Sequence, residues 1–326
     1  MAIPELKTAS VVKRYAGNPV LSADDVPYAG TLVFNAGVTK WQGRYVMLFR
    51  NEVCNEKGQV IDRNLGLALS DDGIAWTVKD APIDAVEDHP LRRFYDPRLT
   101  VLDGRVYLCF ATGLRGTRGG LAVTDDFENW EVLNISVPDN RNMVVFPERI
   151  DGKIVRLERP FAGYLRPNDR FDMWLARSPD GVYWGEADLV LTADALPWTN
   201  NKIGPGPPPV KTDKGWLTLL HAVDRREGRA WGWSRDWDKR YTVGICLLDL
   251  EDPAHVIGYS RAPLMAPEEE YPYEVEGYRG YVQFPTGAIL EDDGELKIYY
   301  GAADTVMALA TARVDDLLAL CESCEA

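Results

Sequence analysis

The chain has 326 residues, of which 46% are hydrophobic and 26% are charged, as in ordinary folded proteins. Its formal net charge of −14 argues against a nucleic-acid partner, because the summed field would repel a phosphate backbone. No segment is long and apolar enough to span a bilayer, and the first fifteen residues lack the apolar core of a secretory signal, so we expect a cytoplasmic protein with no membrane partner.

The cysteines point to a reducing compartment, because their number is odd and their spacing is scattered. They are Cys54, Cys109, Cys246, Cys321 and Cys324. The last two form a C-x-x-C pair, which could bind a metal or be redox-active. The chain has no second pair of this kind, and its three histidines lie far away in sequence. We therefore predict no metal site there.

The predicted strands repeat in a fixed order along the chain. A polar turn containing glycine precedes an apolar strand at WQGRYVMLFR (41–50), LDGRVYLCFAT (102–112), IDGKIVRLER (150–159), TDKGWLTLLHAV (212–223) and DDGELKIYYGA (292–302). A second strand follows in each unit, at LGLALSDDGIAW (65–76), GLAVTDDFENW (120–130), MWLARSPDGVYW (173–184), VGICLLDLEDP (243–253) and MALATARVDDL (307–317). Asp-Gly and Lys-Gly between apolar runs are β-hairpin signals. The pattern thus predicts five units of antiparallel strands.

The spacing of these units favours a propeller over a solenoid. The turn glycines are Gly43, Gly104, Gly152, Gly215 and Gly294. Solenoid repeats must stack at a fixed period, whereas propeller blades tolerate loop insertions. We predict an all-β fold, a five-bladed β-propeller, as a single domain over residues 1–326 with a short C-terminal helix in VDDLLALCE. A β-sandwich is the alternative.

A short strand interrupted by proline or small residues precedes each glycine turn. These strands are VFNAGVTK (33–40), FYDPRLTV (94–101), VVFPERI (144–150), GPGPPPVKT (204–212) and QFPTGAIL (283–290). Proline is tolerated where strand ends converge on a crowded axis better than in a central ladder. We therefore predict that these are the innermost strands, and that their starts line one mouth of a central channel.

Three polar residues occupy related places in these strands: Asn35, Asp96 and Glu148. A carboxylate at a strand end that faces a cleft can act as a general acid if its surroundings raise its pKa. The alternative for Asp96 is a turn aspartate before proline. For Glu148 we favour a structural ion pair with Arg149 or Arg98.

Several basic residues lie beside apolar strands, namely Arg50, Arg159, Lys202 and His221. A buried cation is costly unless it meets an anion, so several of them could converge on one phosphate. The alternative for each is an internal salt bridge or, for His221, a hydrogen-bonded core histidine.

Seven segments carry a family resemblance: NPVLSADDVPY (18–28), FNAGV (34–38), FYDPRLT (94–100), FPERIDGK (146–153), KIGPGPPP (202–209), FPTGAI (284–289) and YYGAADT (299–305). In this order they resemble glycoside hydrolase family 130, the inverting β-mannoside phosphorylases and their relatives. The resemblance implies a five-bladed propeller as the catalytic domain, and a glycosyl-transferring phosphorylase acting on β-1,4-mannooligosaccharides or mannosyl-N-acetylglucosamine.

The resemblance also implies a role for each matching residue. Asp96 matches the catalytic acid. The residues implied to bind phosphate are Arg141, Arg159, Lys202, His221 and Tyr241, and those implied to hold the mannose in the −1 subsite are Asn35, Arg50 and Asp304. No cofactor is implied other than inorganic phosphate as co-substrate.

An inverting glycosidase uses one carboxylic acid and one carboxylate base. Here a single acid faces a cationic side, which suits phosphorolysis, because phosphate is already an anionic nucleophile. The resemblance implies that Asp96 protonates the leaving oxygen through the 3-hydroxyl of the mannose, and that α-mannose 1-phosphate forms.

Four alternatives remain open at this point. They are a hydrolase of the same family, a glycosidase of the arabinanase or fructosidase type, a non-catalytic glycan-binding propeller and a protein-interaction propeller. The segment RREGRAWGWSRDWDKR (225–240) either shapes the acceptor subsite or forms an oligomer contact or surface loop. Homo-oligomerisation is left open.

Overall fold

A computed structural model of the protein describes residues 6–84, 88–161, 170–225 and 237–323. The first part of the chain forms β1 (Lys13–Arg14), β2 (Leu32–Trp41), β3 (Arg44–Cys54), β4 (Val60–Ser70) and β5 (Thr77–Val78). The next two stretches form β6 (Phe94–Leu102), β7 (Arg105–Thr112), β8 (Arg118–Thr124), β9 (Glu131–Ile135), β10 (Asn140–Val145), β11 (Ile154–Pro160), β12 (Met173–Ser178) and β13 (Gly185–Leu191).

The last part forms β14 (Ile203–Pro205), β15 (Val210–Thr212), β16 (Gly215–Arg225), β17 (Lys239–Leu248), β18 (Val256–Tyr259), β19 (Gln283–Leu290), β20 (Glu295–Ala302), β21 (Val306–Arg313) and β22 (Glu322–Ser323). The helices in the described residues are α1 (Pro272–Val275), α2 (Val314–Ala319) and two 3-10 turns, Ala23–Asp25 and Ala193–Ala195. The fold is therefore nearly all-β, as predicted, and α2 is the predicted C-terminal helix. None of these helices has the length and apolar character needed to cross a membrane.

The strands pair in four hydrogen-bonded sheets. Strands β6 to β9 form one sheet in sequence order, and strands β10 to β13 form another. A third contains β14, β16, β17, β18 and β22, with β15 paired to β16. The fourth runs β1-β21-β20-β19-β2-β3-β4-β5, and its two antiparallel halves meet at one parallel pairing, Gly287 with Val38. We refer to the other three sheets and the two halves of this one as five antiparallel groups, numbered in chain order by their first strands β2, β6, β10, β14 and β19.

The predicted hairpin turns lie between the first two strands of these groups. Gln42–Gly43, Asp103–Gly104 and Asp151–Gly152 all have positive φ at both residues. This is the backbone of the type I′ turn, whose twist matches that of the flanking strands. Asn, Asp and Gly favour it because they tolerate the left-handed region.

The innermost strand of the third group differs from the prediction. The strand begins at Asn140 and ends at Val145 rather than running over 144–150, and residues 146–149 lie outside any strand. Pro147 has no N–H to give to a ladder, so pairing stops ahead of it. The polar residue that enters the pocket from this group therefore comes from the N-terminal side of Val145.

The backbones of β2 and β6, which belong to neighbouring groups, approach each other closely. A Cβ added to Gly37 of β2 would lie 2.8 Å from the backbone N of Leu99 and 3.0 Å from the Cα of Arg98, both on β6. Only a residue without a side chain fits this contact, which fixes β2 against β6.

We predict that Gly37→Ala lowers the free energy of unfolding by about 1–3 kcal/mol, the usual cost of forcing an extra methyl group into packed backbone. Gly185→Ala is the matched control, because a Cβ at Gly185 meets nothing within 4 Å and its change should stay within about 0.5 kcal/mol. Chemical denaturation of both variants measures the difference. Equal stabilities would show that β2 and β6 are not held at the spacing seen here.

Candidate active site

A pocket with a volume of about 280 Å³ brings most of the predicted site residues together. The predicted residues that line it are Asn35, Arg50, Asp96, Arg141, Arg159, Tyr241 and Asp304. Those that sequence reasoning missed include Arg63, Tyr95, Asn142, Trp237, Arg279 and Phe284. Lys202 and His221 do not line the pocket; both are buried.

Three of the innermost strands bulge where they reach the pocket. The pairing of β2 with β3, of β6 with β7 and of β10 with β11 each contains one extra residue on the inner strand. Asn35, Asp96 and Asn142 occupy these bulges with φ of 51°, 53° and 57°. A bulge re-aims a side chain out of the sheet's alternation, and Asn and Asp tolerate the left-handed backbone better than most residues.

The third member of this set is Asn142 and not Glu148, which corrects the sequence prediction. Glu148 lies outside the pocket and half-exposed, where it pairs with Lys211 at 2.5 Å rather than with Arg149 or Arg98. Arg149 pairs with Asp103 instead. The prediction placed Glu148 by its neighbouring proline. In β6 the bulge contains Pro97 itself, whereas in β10 it ends before Val144, ahead of Pro147.

The Asp96 carboxylate is held by two donors. Its Oδ1 accepts hydrogen bonds from Asn35 Nδ2 at 2.9 Å and from Arg50 Nη1 at 2.8 Å. Burial alone would raise the pKa of Asp96, but the charges of Arg50 and Arg98 outweigh it and lower the pKa to about 2. The surroundings therefore keep this carboxyl ionised in the free protein, whereas the sequence argument asked for a raised pKa.

Arg50 is itself fixed from behind by Glu52. The buried Glu52 carboxylate accepts from Arg50 Nε at 2.9 Å and from Arg63 Nε at 2.6 Å. The guanidinium groups of Arg50 and Arg63 lie over the ring of Tyr95, at 4.9 and 4.6 Å from its centroid. These contacts hold the Arg50 guanidinium against Asp96 and leave it little freedom to rotate.

Arg159 lies across the pocket and contacts His221. Its Nη1 is 2.9 Å from His221 Nε2, and Asn142 Nδ2 is 3.3 Å from the same nitrogen. His221 Nδ1 is 3.2 Å from the carbonyl oxygen of Pro205, which can only accept, so Nδ1 carries the proton and Nε2 accepts. Burial and the charges of Arg159, Arg98 and Lys202 lower the pKa of His221 well below its usual value, and the imidazole is neutral.

The guanidinium groups on this side of the pocket offer more N–H donors than the described residues around them can accept. Arg159 Nε, Arg141 Nε and Arg98 Nη2 are buried nitrogens with no hydrogen-bond partner among the described residues. Burial and the nearby charge of Arg141 lower the pKa of Arg159 to about 9. A buried N–H without an acceptor costs free energy. The positive charges of Arg159 and Arg141 also repel each other. The cluster is therefore a ready site for an anion.

Asp304 and an aromatic stack form the remaining wall. Asp304 lies in the β20–β21 turn with φ of 48° and accepts from Arg279 Nη1 at 3.1 Å. The Arg279 guanidinium lies 4.7 Å from the centroid of the Trp237 ring, and Trp237 stacks on Tyr241 at 5.7 Å. Aromatic faces and carboxylates of this kind suit the apolar faces and hydroxyls of a sugar ring.

Tyr241 continues this stack onto His221, with ring centroids 6.0 Å apart. Burial raises the pKa of the Tyr241 hydroxyl, although Arg159 and Arg141 oppose the change. The phenol therefore keeps its proton at neutral pH and can donate a hydrogen bond to an anion at the two arginines.

Part of the sequence reasoning falls outside the described residues. Most of the Trp/Arg-rich segment 225–240 does so, as does Cys324 of the C-x-x-C pair. Trp237, at the end of that segment, does line the pocket. Across residues 6–84, 88–161, 170–225 and 237–323, no group of three His, Cys, Asp or Glu side chains could hold a metal ion.

The chain matches the model of glycoside hydrolase family 130, which is described as β-1,4-mannooligosaccharide phosphorylase, over residues 3–323. It is 32% identical over 323 residues to a β-1,4-mannooligosaccharide phosphorylase of Ruminococcus albus, covering 94% of this chain and 90% of the relative. It is 31% identical over 317 residues to a 1,2-β-oligomannan phosphorylase of a Thermoanaerobacter species, covering 94% and 98%.

Among solved structures, the β-1,2-mannobiose phosphorylase of Listeria innocua in complex with β-1,2-mannobiose superposes with a TM-score of 0.78 and 26% identity. The match covers 95% of this chain and 99% of that chain. Because the family model spans almost the whole sequence and these relatives are matched over nearly their full lengths, the chain belongs to glycoside hydrolase family 130.

Proposed function

We propose that this protein is an inverting phosphorylase that cleaves a β-mannoside with inorganic phosphate and releases α-mannose 1-phosphate. The observation that carries the proposal is a set of buried guanidinium nitrogens, on Arg159, Arg141 and Arg98, that find no acceptor in the part of the chain that the structure describes. They lie in and beneath a pocket that also contains Asp96. An inverting hydrolase uses a second carboxylate as the base that activates water. The other aspartate of this pocket, Asp304, is paired with Arg279. A phosphorylase needs a cradle for an anion instead.

The phosphate would lie against Arg159 and Arg141, with the Tyr241 hydroxyl as a further donor. His221 has Nε2 occupied by Arg159 and Asn142, so in this arrangement it orients the Arg159 fork. Lys202 adds positive charge, since it contributes to the lowered pKa of His221. Fixed donors that neutralise phosphate and aim one oxygen at the anomeric carbon reduce the barrier without further reorganisation.

The reaction breaks the bond from the anomeric carbon to the leaving oxygen and forms a bond from the same carbon to a phosphate oxygen on the opposite face. Asp96 supplies the proton that the leaving oxygen needs, through the 3-hydroxyl of the mannose. Asp96 Oδ1 is occupied by Asn35 and Arg50, so Oδ2 is the oxygen left for the sugar. Because Asp96 is ionised in the free protein, it has to take up this proton once substrates are bound.

The mannose in the −1 subsite would contact Asn35, Arg50 and Asp304. Asn35 Oδ1 is a buried acceptor without a partner in the described residues, which suits a sugar hydroxyl. We assign β-1,4-mannosides as substrates, supported by the description of the family model and by the Ruminococcus albus relative. The relatives that act on β-1,2-mannosides are matched nearly as well, so a β-1,2 linkage is the competing assignment.

The same proposal includes the architecture. The five antiparallel groups are interpreted as blades of a five-bladed β-propeller in one catalytic domain. In support, the inner strands contact one another in the order β2, β6, β10 and β14, and β19 contacts β2. The N-terminal strand β1 pairs with β21 in the last group, which is how a ring of blades is commonly closed.

We predict that mannose 1-phosphate forms from β-1,4-mannobiose or mannosyl-N-acetylglucosamine only when phosphate is present. Product analysis with and without phosphate, with β-1,2-mannobiose as a third substrate, tests both reaction and linkage. Release of free mannose, with or without phosphate, would identify a hydrolase. Cleavage of β-1,2-mannobiose alone would change the linkage, and no turnover with any substrate would favour a glycan-binding protein.

We predict that Asp96→Asn lowers kcat for phosphorolysis by about 10²–10⁴-fold, the usual contribution of general acid catalysis. The control is Asp103→Asn at the other end of β6, where the aspartate also has positive φ but pairs with Arg149 at the surface. Steady-state rates of both variants give the comparison. A near-normal rate for Asp96→Asn would remove Asp96 from its role.

We predict that Arg159→Lys raises KM for phosphate about 10- to 100-fold, because one charge-assisted hydrogen bond is worth about 1.5–3 kcal/mol. Arg149→Lys, at an exposed ion pair, should leave KM unchanged. Initial rates at varied phosphate and saturating mannoside measure the effect. If KM for the mannoside rises instead, Arg159 holds sugar and the phosphate site lies elsewhere.

A further inference from the structure

Arg98 connects the catalytic carboxyl to the cationic side of the pocket. It lies two residues after Asp96 on β6 and is 1% exposed. Its Nη1 donates to the backbone carbonyl of Asp96 at 3.1 Å, and its Nε donates to the carbonyl of Gly206 at 2.8 Å. Its Nη2 has no acceptor among the described residues. The Arg98 guanidinium therefore lies beneath Asp96 and keeps one N–H group that no described residue accepts.

The same segment of backbone holds Arg98 and His221. Consecutive carbonyls accept from them, Pro205 from His221 Nδ1 and Gly206 from Arg98 Nε. The ring of Phe284 lies between the two, 4.9 Å from the Arg98 guanidinium and 4.7 Å from the imidazole. Since Arg159 contacts His221 directly, the charges next to Asp96 and those of the anion site form one contiguous group.

Charged groups face Asp96 from four parts of the fold. Arg50 approaches from β3, Arg98 from β6 itself and Arg159 from β11, and all three are positive. Asp304 faces it from the β20–β21 turn and is its acidic neighbour. The positive charges dominate in the free protein, because Asp96 remains ionised although it is buried.

We propose that anion binding and protonation of Asp96 are coupled, so that the acid acquires its proton only when phosphate occupies the Arg141–Arg159 site. A bound dianion offsets the positive charge that keeps Asp96 ionised and adds a like charge near its carboxylate. Both effects favour the neutral acid. The inference rests on the proposed phosphate site and extends it to the order of events.

The coupling would explain why cleavage depends on phosphate. Without the anion, Asp96 is a carboxylate that has no proton to give to the leaving oxygen, so water in the pocket finds no acid catalyst. With the anion in place, the nucleophile and the protonated acid are present together. Linkage requires the converse as well, so that protonation of Asp96 tightens anion binding.

Two other groups could take up the proton instead. Protonation of His221 would remove the acceptor that Nε2 offers to Arg159 and Asn142, so the present hydrogen bonds oppose it. Asp304 is paired with Arg279, and burial already raises its pKa. Asp96, in contrast, is held in the ionised form by Arg50 and Arg98, and these are the charges that a bound anion would offset.

Calorimetric titration of the full chain with sulfate tests the coupling. Sulfate resembles the phosphate dianion but has no proton of its own to exchange near neutral pH, so any proton taken up belongs to the protein. Titrations in buffers of different ionisation enthalpy give the number of protons taken up per sulfate. We expect net uptake that grows as the pH falls from 7.5 to 5.5. The sulfate dissociation constant should fall over the same range, by at most about tenfold per pH unit for one proton.

Asp96→Asn and Asp304→Asn are the matched variants, since each replaces a carboxyl by an amide of the same shape. Uptake should disappear in Asp96→Asn and persist in Asp304→Asn, with thermal unfolding used to confirm that both are folded. Sulfate binding without proton uptake would overturn the coupling and leave the phosphate site standing. Persistence of uptake in Asp96→Asn would assign the proton to another group and overturn it too. Failure of both sulfate and phosphate to bind would overturn the proposed function and this inference with it.

Discussion

Arg98 and Arg159 are buried with fewer hydrogen-bond acceptors than their guanidinium groups can use. Burying such charge is expensive unless it is paired, and each of the two carries a buried nitrogen that has no partner within residues 6–84, 88–161, 170–225 and 237–323. The rest of the site follows from this excess. Arg98 acts together with Arg50 to lower the pKa of Asp96, and Arg159 and Arg98 help to keep His221 neutral. The unused donors are directed at a space that suits an anion. The fold has to supply enough rigidity to hold these groups together against their mutual repulsion.

That rigidity comes from the backbone geometry of the strands that reach the pocket. Asn35, Asp96 and Asn142 are held in left-handed conformations by one-residue bulges in three inner strands. Strained conformations of this kind persist when the surrounding structure determines them and concentrate at functional sites. The contact between β2 and β6 at Gly37 is an example of such surroundings. Three strands thereby place polar side chains in one pocket although each belongs to a different group.

The pocket has one side with Arg141 of β10 and Arg159 of β11, and another with Arg279 and Trp237. Relatives at 32% and 31% identity are a β-1,4-mannooligosaccharide phosphorylase and a 1,2-β-oligomannan phosphorylase, so they share a reaction class and differ in linkage. Sequence identity near 30% therefore predicts the reaction class better than it predicts the glycosidic linkage.

The sequence by itself determined the all-β class, the positions of the hairpin turns and seven of the residues that line the pocket. Asp-Gly turns and period-two apolar strands are local signals, and Asp96 and Asn35 lie beside them in short motifs. Only the tertiary structure decided that Asn142 takes the place expected of Glu148, because a bulge leaves no mark on composition. It alone decided that the pKa of Asp96 is lowered rather than raised. The charges responsible, on Arg50 and Arg98, act through space, and the pKa of a buried group depends on the charges folded around it rather than on its neighbours in the chain.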